Sequence, residues 1–105
     1  MDTEAGSARN RIYQVTSLDP ETLLAIADRL DVATSFADLI YRESEIDALW
    51  SLVDIQVTAA EHSGSATELA RWTGLRSRLW EAHDLVPEGR CRESAAILRE
   101  LVQTW

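Results

Sequence analysis

Three side chains in this 105-residue chain are of the kind that holds a transition metal: His62, His83 and Cys91, with Glu61 and Glu81 beside the two histidines. A zinc centre gathers three or four such donors around one point, and its sequence signatures place two of them within a helical turn of each other. No two of these three recur at that spacing. The histidines fall near the ends of successive helices, which an antiparallel hairpin separates. Cys91 falls on an inward apolar stripe, where a thiol packs as a small hydrophobe. No metal site is expected. The acids Asp28, Asp31 and Asp38 read as charge on solvated faces. There is no Glu-x-x-His pairing of the di-iron kind and no glycine-rich phosphate loop after a strand. No local signature marks a serine nucleophile. Neither an enzyme nor a cofactor is expected.

A second chemistry is suggested by "TELARWTGLRSRLW", residues 67–80. Its rhythm is that of a DNA-reading helix-turn-helix, with Gly74 in the turn, Ala70 at the helix crossing, and Arg71, Arg76 and Arg78 available for the groove. Trp80 suits a core position of the recognition helix and His83, on the other, does not. A continuous helix accounts for the same residues better. Leu69, Trp72, Leu75, Leu79, Ala82 and Val86 form an unbroken seam through the supposed turn. Gly74 costs that helix about 1 kcal/mol against alanine. The expectation is one amphipathic helix, with Gly74 admitting a neighbouring helix or Trp80. Nucleic acid is not an expected partner.

Four tryptophans in so short a chain are a heavy dose. Trp50 and Trp72 fall on inward seams. Trp80 lies at a stripe's edge, and Trp105 lies past the last helix. Aromatic residues and arginine are enriched at protein interfaces. The C-terminal helix also carries a wide apolar stripe, Ile97, Leu98, Leu101 and Val102, which Trp105 continues. A surplus stripe meets a second subunit or stays exposed, which soluble monomers avoid. Trp80, Leu101 and Trp105 are therefore the expected interface residues of a homo-oligomer, a twofold dimer being the commonest form.

The elements that position these residues are helices. Residues 1–16, with Gly6 and Ser7, read as a flexible N-terminal arm, in which Ile12, Tyr13 and Val15 pack as an extended segment. Residues 17–105 read as one domain, of a size that buries a real core. Asp19 as N-cap and Pro20 at the first helical position start a helix carrying Leu23, Ile26, Ala27, Leu30 and Thr34 on one stripe. Between Pro20 and Gly64 there is neither proline nor glycine. Ser35-Phe-Ala-Asp38 marks a break at 31–35, and Ser44-Glu-Ile-Asp47 offers a second at 43–44. The long helix that follows is expected to carry Phe36, Leu39, Ile40, Ile46, Leu49, Trp50, Val53, Val57 and Ala60 inward. Gly64 stops it, and a Ser65–Glu68 capping box opens the next, which runs to about Val86. Pro87-Glu88-Gly89 turns the chain into a last helix at about 89–103. Residues 79–101 resemble one hairpin of a tetratricopeptide-type array, with Gly89 at the turn and Ala95 at the crossing. A solenoid needs about three such units, so the resemblance implies a helical hairpin alone. The fold class is all-α, a small antiparallel bundle of four helices, or five if residues 43–44 break.

Net charge is −8, and every one of the ten basic residues is arginine. The acidity argues against broad nucleic-acid binding, which needs a basic face. Arginine without lysine is what GC-rich coding bias produces. The charge is uneven: residues 19–68 carry a net −9 and residues 71–92 a net +2. No apolar run reaches the ~18 residues of a membrane span, and the single cysteine cannot form an internal disulfide. A bacterial cytoplasm is the expected setting. The functional expectation is a non-enzymatic helical interaction module, a homo-oligomeric accessory or regulatory subunit. Two alternatives stand beside it: an acidic immunity- or antitoxin-type protein covering a basic protein partner through residues 19–68, and a helix-turn-helix regulator using residues 67–80.

Overall fold

A computed structural model of the chain describes residues 15–105. The arm expected over residues 1–16 lies outside the described residues except for Val15 and Thr16, and Val15 packs half-buried against the core. The described residues form four α-helices and no strand: α1 (Pro20–Asp31), α2 (Phe36–Ser63), α3 (Ala66–Leu85) and α4 (Cys91–Gln103). The molecule is elongated, 51 × 27 × 21 Å.

Local chemistry sets each boundary. The Asp19 carboxylate accepts the Thr22 amide at 2.8 Å, satisfying one donor that the first turn of α1 leaves without an intrahelical partner. Ser35 and Asp38 form a reciprocal capping box. Ser35 Oγ accepts the Asp38 amide, and the Asp38 carboxylate accepts the amides of Thr34 and Ser35 at 3.0 and 3.2 Å. The break at 31–35 is therefore present. The one at 43–44 is not: α2 runs 28 residues without interruption. Gly64 ends it in the left-handed region, at φ 73°. Ser65 caps α3 through the Glu68 amide, but Glu68 does not close the box. Its carboxylate accepts the Trp72 indole N–H instead, at 3.0 Å. Helix α3 passes through Gly74 without a turn, so the two crossing helices of the DNA-reading alternative are absent. Gly89, at φ 78°, makes the turn into α4.

Helix α2 packs along α3, α3 along α4, and α1 mainly on α4. The core joins Leu23, Ile26, Ala27 and Leu30 of α1 to Ile46, Leu49, Val53 and Val57 of α2. Leu79 and Ala82 of α3 with Val86, then Cys91, Ala95, Leu98 and Leu101 of α4, complete it. Each fully buried Leu, Ile or Val contributes about 1.5–3 kcal/mol of transfer free energy. Ser94 Oγ donates to the Ala82 carbonyl at 2.7 Å across the buried α3–α4 contact. Thr34, placed on the α1 stripe by the sequence, lies beyond the helix end and is exposed.

The N-terminal half of α2 departs from expectation. Phe36 and Ile40 were placed inward by their apolar character, yet they are 78% and 48% exposed. The reason is helical phase. Ala60, Val57, Val53, Leu49 and Ile46 define the inward stripe at steps of three and four. Continued backward, the same phase reaches Glu45, Arg42 and Asp38, all three buried. Arg42 Nε donates to Glu45 Oε1 at 2.5 Å and its terminal nitrogen to Oε2 at 3.3 Å, a two-point grip inside the bundle. Arg29 of α1 reaches the same carboxylate at 3.4 Å. A polar network occupies the interior here, and the apolar side chains of the first turns face out.

Candidate interaction surface on the third helix

The inward seam of α3 is Leu69, Trp72, Leu75, Leu79 and Ala82, with Val86 just beyond. At 3.6 residues per turn its opposite face is formed by Ala70, Thr73, Gly74 and Ser77. All four are exposed. A Cβ built on Gly74 would meet nothing within 4 Å. The expectation that Gly74 admits a neighbouring helix or Trp80 is therefore not met among the described residues: none of them lies against it. From Ala70 to Ser77 the outward face of α3 is a shallow trough of small side chains, and beyond Ser77 it carries the exposed acids Glu81 and Asp84.

Tryptophan and arginine stand on both sides of it. On the α4 side, Arg71, Gly74, Leu75 and Arg78 face Leu101, Thr104 and Trp105 across a groove of about 370 Å³. The Arg71 guanidinium lies over the rings of Trp72 and Trp105, at 4.8 and 5.8 Å from their centroids. Those rings meet edge to face at 6.2 Å. On the α2 side, Trp50, Thr73, Arg76, Ser77 and Trp80 line a second groove of about 440 Å³. Trp50 and Trp80 lie 5.8 Å apart, inclined at 56°. Trp80 stacks flat on the His83 imidazole at 4.6 Å.

The six residues singled out from the sequence thus converge on α3 and its borders. Arg71, Arg78, Leu101 and Trp105, named for two different functions, line one groove. Arg76 and Trp80 line the other. Their chemistry differs. Arg76 donates to Asp54 of α2 at 2.6 Å, and Arg78 is held by Glu81 and Glu100. Arg71 makes no ion pair among the described residues. Trp80 is 45% exposed and Trp105 is half-buried. Leu101 is 7% exposed, so its own protomer covers it. It supports the groove from below and offers a partner little surface. Sequence reasoning places Trp50 on an inward seam and not at this groove, because only the α2–α3 register brings it beside Trp80.

The metal-type donors stay apart. His62 is exposed, with Nδ1 against the Thr58 carbonyl at 2.9 Å. His83 sits between Glu43, at 3.7 Å, and Asp84, at 3.3 Å. Burial pushes the Cys91 thiol above its ordinary range, and the nearby Asp38 charge adds to the effect. The thiolate that would bind metal or attack an electrophile is disfavoured there. Among the described residues no three His, Cys, Asp or Glu side chains gather as a metal site. None of the described helices is long and apolar enough to cross a membrane. No family model, curated protein or solved structure matches this chain.

Proposed function

We propose that this chain is a non-enzymatic helical interaction module, a homo-oligomeric accessory or regulatory subunit whose contact surface is the outward face of α3. The observation that carries the reading is the open space over Gly74, bounded by Trp80 on one side and Trp105 on the other. A glycine in mid-helix costs about 1 kcal/mol, and among the described residues no packing against Gly74 offsets that cost. Small floor residues let a second helix axis come close. Tryptophan and arginine at the borders supply the side chains that dominate interface energetics.

Gly74→Gln tests this directly. The new side chain has room in the isolated protomer and raises helix propensity, so the fold is retained. It fills the trough, so association is lost. Sedimentation of the intact chain and of Gly74→Gln at tens of micromolar is expected to show assembly in the first and a monomer in the second. A monomeric intact chain, or equal assembly of both, would contradict the reading.

A further inference from the structure

Two points of opposite charge lie along one border of the α3 trough. Toward its N-terminal end stands Arg71, exposed and with no ion pair among the described residues. Glu68, one turn earlier, accepts the Trp72 indole instead. About two turns beyond Arg71 stands Arg78, held by Glu81 of α3 and Glu100 of α4. One guanidinium against two carboxylates leaves that cluster with a surplus negative charge. Both points belong to the α4 side, where Arg71 and Arg78 line the same groove. The α2 border is balanced, since Arg76 pairs with Asp54. The borders of the trough therefore carry no excess of either sign. Their charge is instead polarised along the helix, positive at Arg71 and negative at the cluster.

We infer that the trough is covered by the trough of a second copy of this chain, the two α3 helices running antiparallel about a twofold axis beside Thr73 and Gly74. This rests on the reading of α3 as the contact face and specifies what meets it. Such an axis crosses the face at right angles to both helices. It keeps the α4 border of one copy against the α4 border of the other and reverses its direction. Arg71 of each copy then meets the Arg78–Glu81–Glu100 cluster of the other, and the two surplus charges cancel at both ends of the contact. Arg71 and Glu81 of the second copy are offset by roughly 7.5 Å along the axis, within reach of two long side chains. The floor also fits itself. Ala70 lies over Ser77 of the second copy and Thr73 over its Gly74, so small meets small and the axes come close.

Charge selects this arrangement over the others. A parallel pairing would join the floors equally well, but it sets Arg71 on Arg71 and cluster on cluster, and opposed like charges weaken association. A nucleic acid needs a surface of one sign, which the trough lacks. With the same patch used on both copies, assembly closes at the dimer.

The experiment exchanges the charges at exposed positions, with circular dichroism to confirm that each variant is folded. In sedimentation the intact chain is expected to be a dimer. Arg71→Glu and Glu81→Arg are each expected to weaken it by about tenfold or more, because each sets like charge against like. An equimolar mixture of the two variants is expected to restore the dimer as a 1:1 heterodimer, since both of its contacts again join opposite signs. Orientation is read from cysteines, the native Cys91 being buried. Ala70→Cys and Ser77→Cys, oxidised together, are expected to form a mixed disulfide. Neither is expected to cross-link alone, because like positions lie roughly 10.5 Å apart along the axis, beyond disulfide reach. A mixture of charge variants no tighter than either alone, or Ala70→Cys cross-linking to itself, overturns the inference. A dimer that is lost in Gly74→Gln but gives no mixed disulfide also overturns it while leaving the α3 contact face standing. An intact chain that is monomeric at tens of micromolar removes both.

Discussion

Arg42 and Glu45 face each other one helical turn apart inside the bundle, Nε to Oε1 at 2.5 Å, with both side chains closed off from solvent. Removing the carboxylate takes from the buried guanidinium the group that grips it at two points. Such a change costs about 3–5 kcal/mol, which is a large share of the ~5–15 kcal/mol that holds a small domain together. Glu45→Ala is accordingly expected to lower the urea midpoint sharply. Replacing both partners by apolar side chains of similar volume, Arg42→Met with Glu45→Leu, is expected to recover most of the loss. Urea titration of the two variants checks this. Equal instability of the single and double variants would show that the pair is not what the site requires.

The Ser94 hydroxyl ties α4 to the Ala82 carbonyl from a fully buried position. Ser94→Ala is expected to cost about 1–2 kcal/mol, one buried hydrogen bond and the desolvated carbonyl it leaves. The thermal midpoint then falls by several degrees, in line with the ~4–8 °C per kcal/mol of a domain this size. Differential scanning calorimetry measures it. An unchanged midpoint would mean that the contact contributes nothing net.

Gly74→Ala is expected to raise stability by about 1 kcal/mol through helix propensity alone, because nothing lies where its methyl group goes. Chemical denaturation of the dilute, monomeric protein isolates this effect from association. A loss of stability would place the glycine in a packed or bent segment, contrary to the unbroken α3.

Stability in acid follows the caps. The amides of Thr34 and then Ser35 hold the Asp38 carboxyl below its ordinary range, and the Thr22 amide and Ser17 hydroxyl do the same for Asp19. A group whose pKa is lowered by folding contributes stability above its unfolded value, near 4, and loses it as the pH falls through the folded one. Stability is therefore expected to be flat from neutral down to about pH 5 and to drop below pH 4. Asp38→Asn should shrink the drop, since it removes one titrating cap, and it should cost stability at neutral pH. Unfolding curves from pH 7 to pH 2 test both signs. A slope unaltered by Asp38→Asn would contradict the assignment.

The caps were readable because capping chemistry is local. Asp19, Ser35, Asp38, Gly64 and Ser65 each act on backbone groups within a few residues. The seam of α3 was readable for a similar reason, since its period survives Gly74. The interior of α2 was not. Asp38, Arg42 and Glu45 look like surface charge until the phase of the apolar residues downstream is carried back to them, and Phe36 and Ile40 invite the opposite reading. The grooves were half readable. Arg71, Arg78 and Trp105 stood out by type, but that they share one groove depends on how α3 and α4 are staggered. Trp50 beside Trp80 depends likewise on α2 and α3, and a single sequence does not encode either stagger in any local pattern.

On the proposed reading, association uses the outward face of α3. Its most direct test is the set of four tryptophan indole N–H signals in a heteronuclear correlation spectrum, followed from dilute to concentrated protein and assigned by single substitutions. The expected result is that the Trp80 and Trp105 signals, on the two borders of the trough, move with concentration and stop moving in Gly74→Gln. Indole signals that stay fixed while the protein assembles, or that move identically in Gly74→Gln, would contradict it.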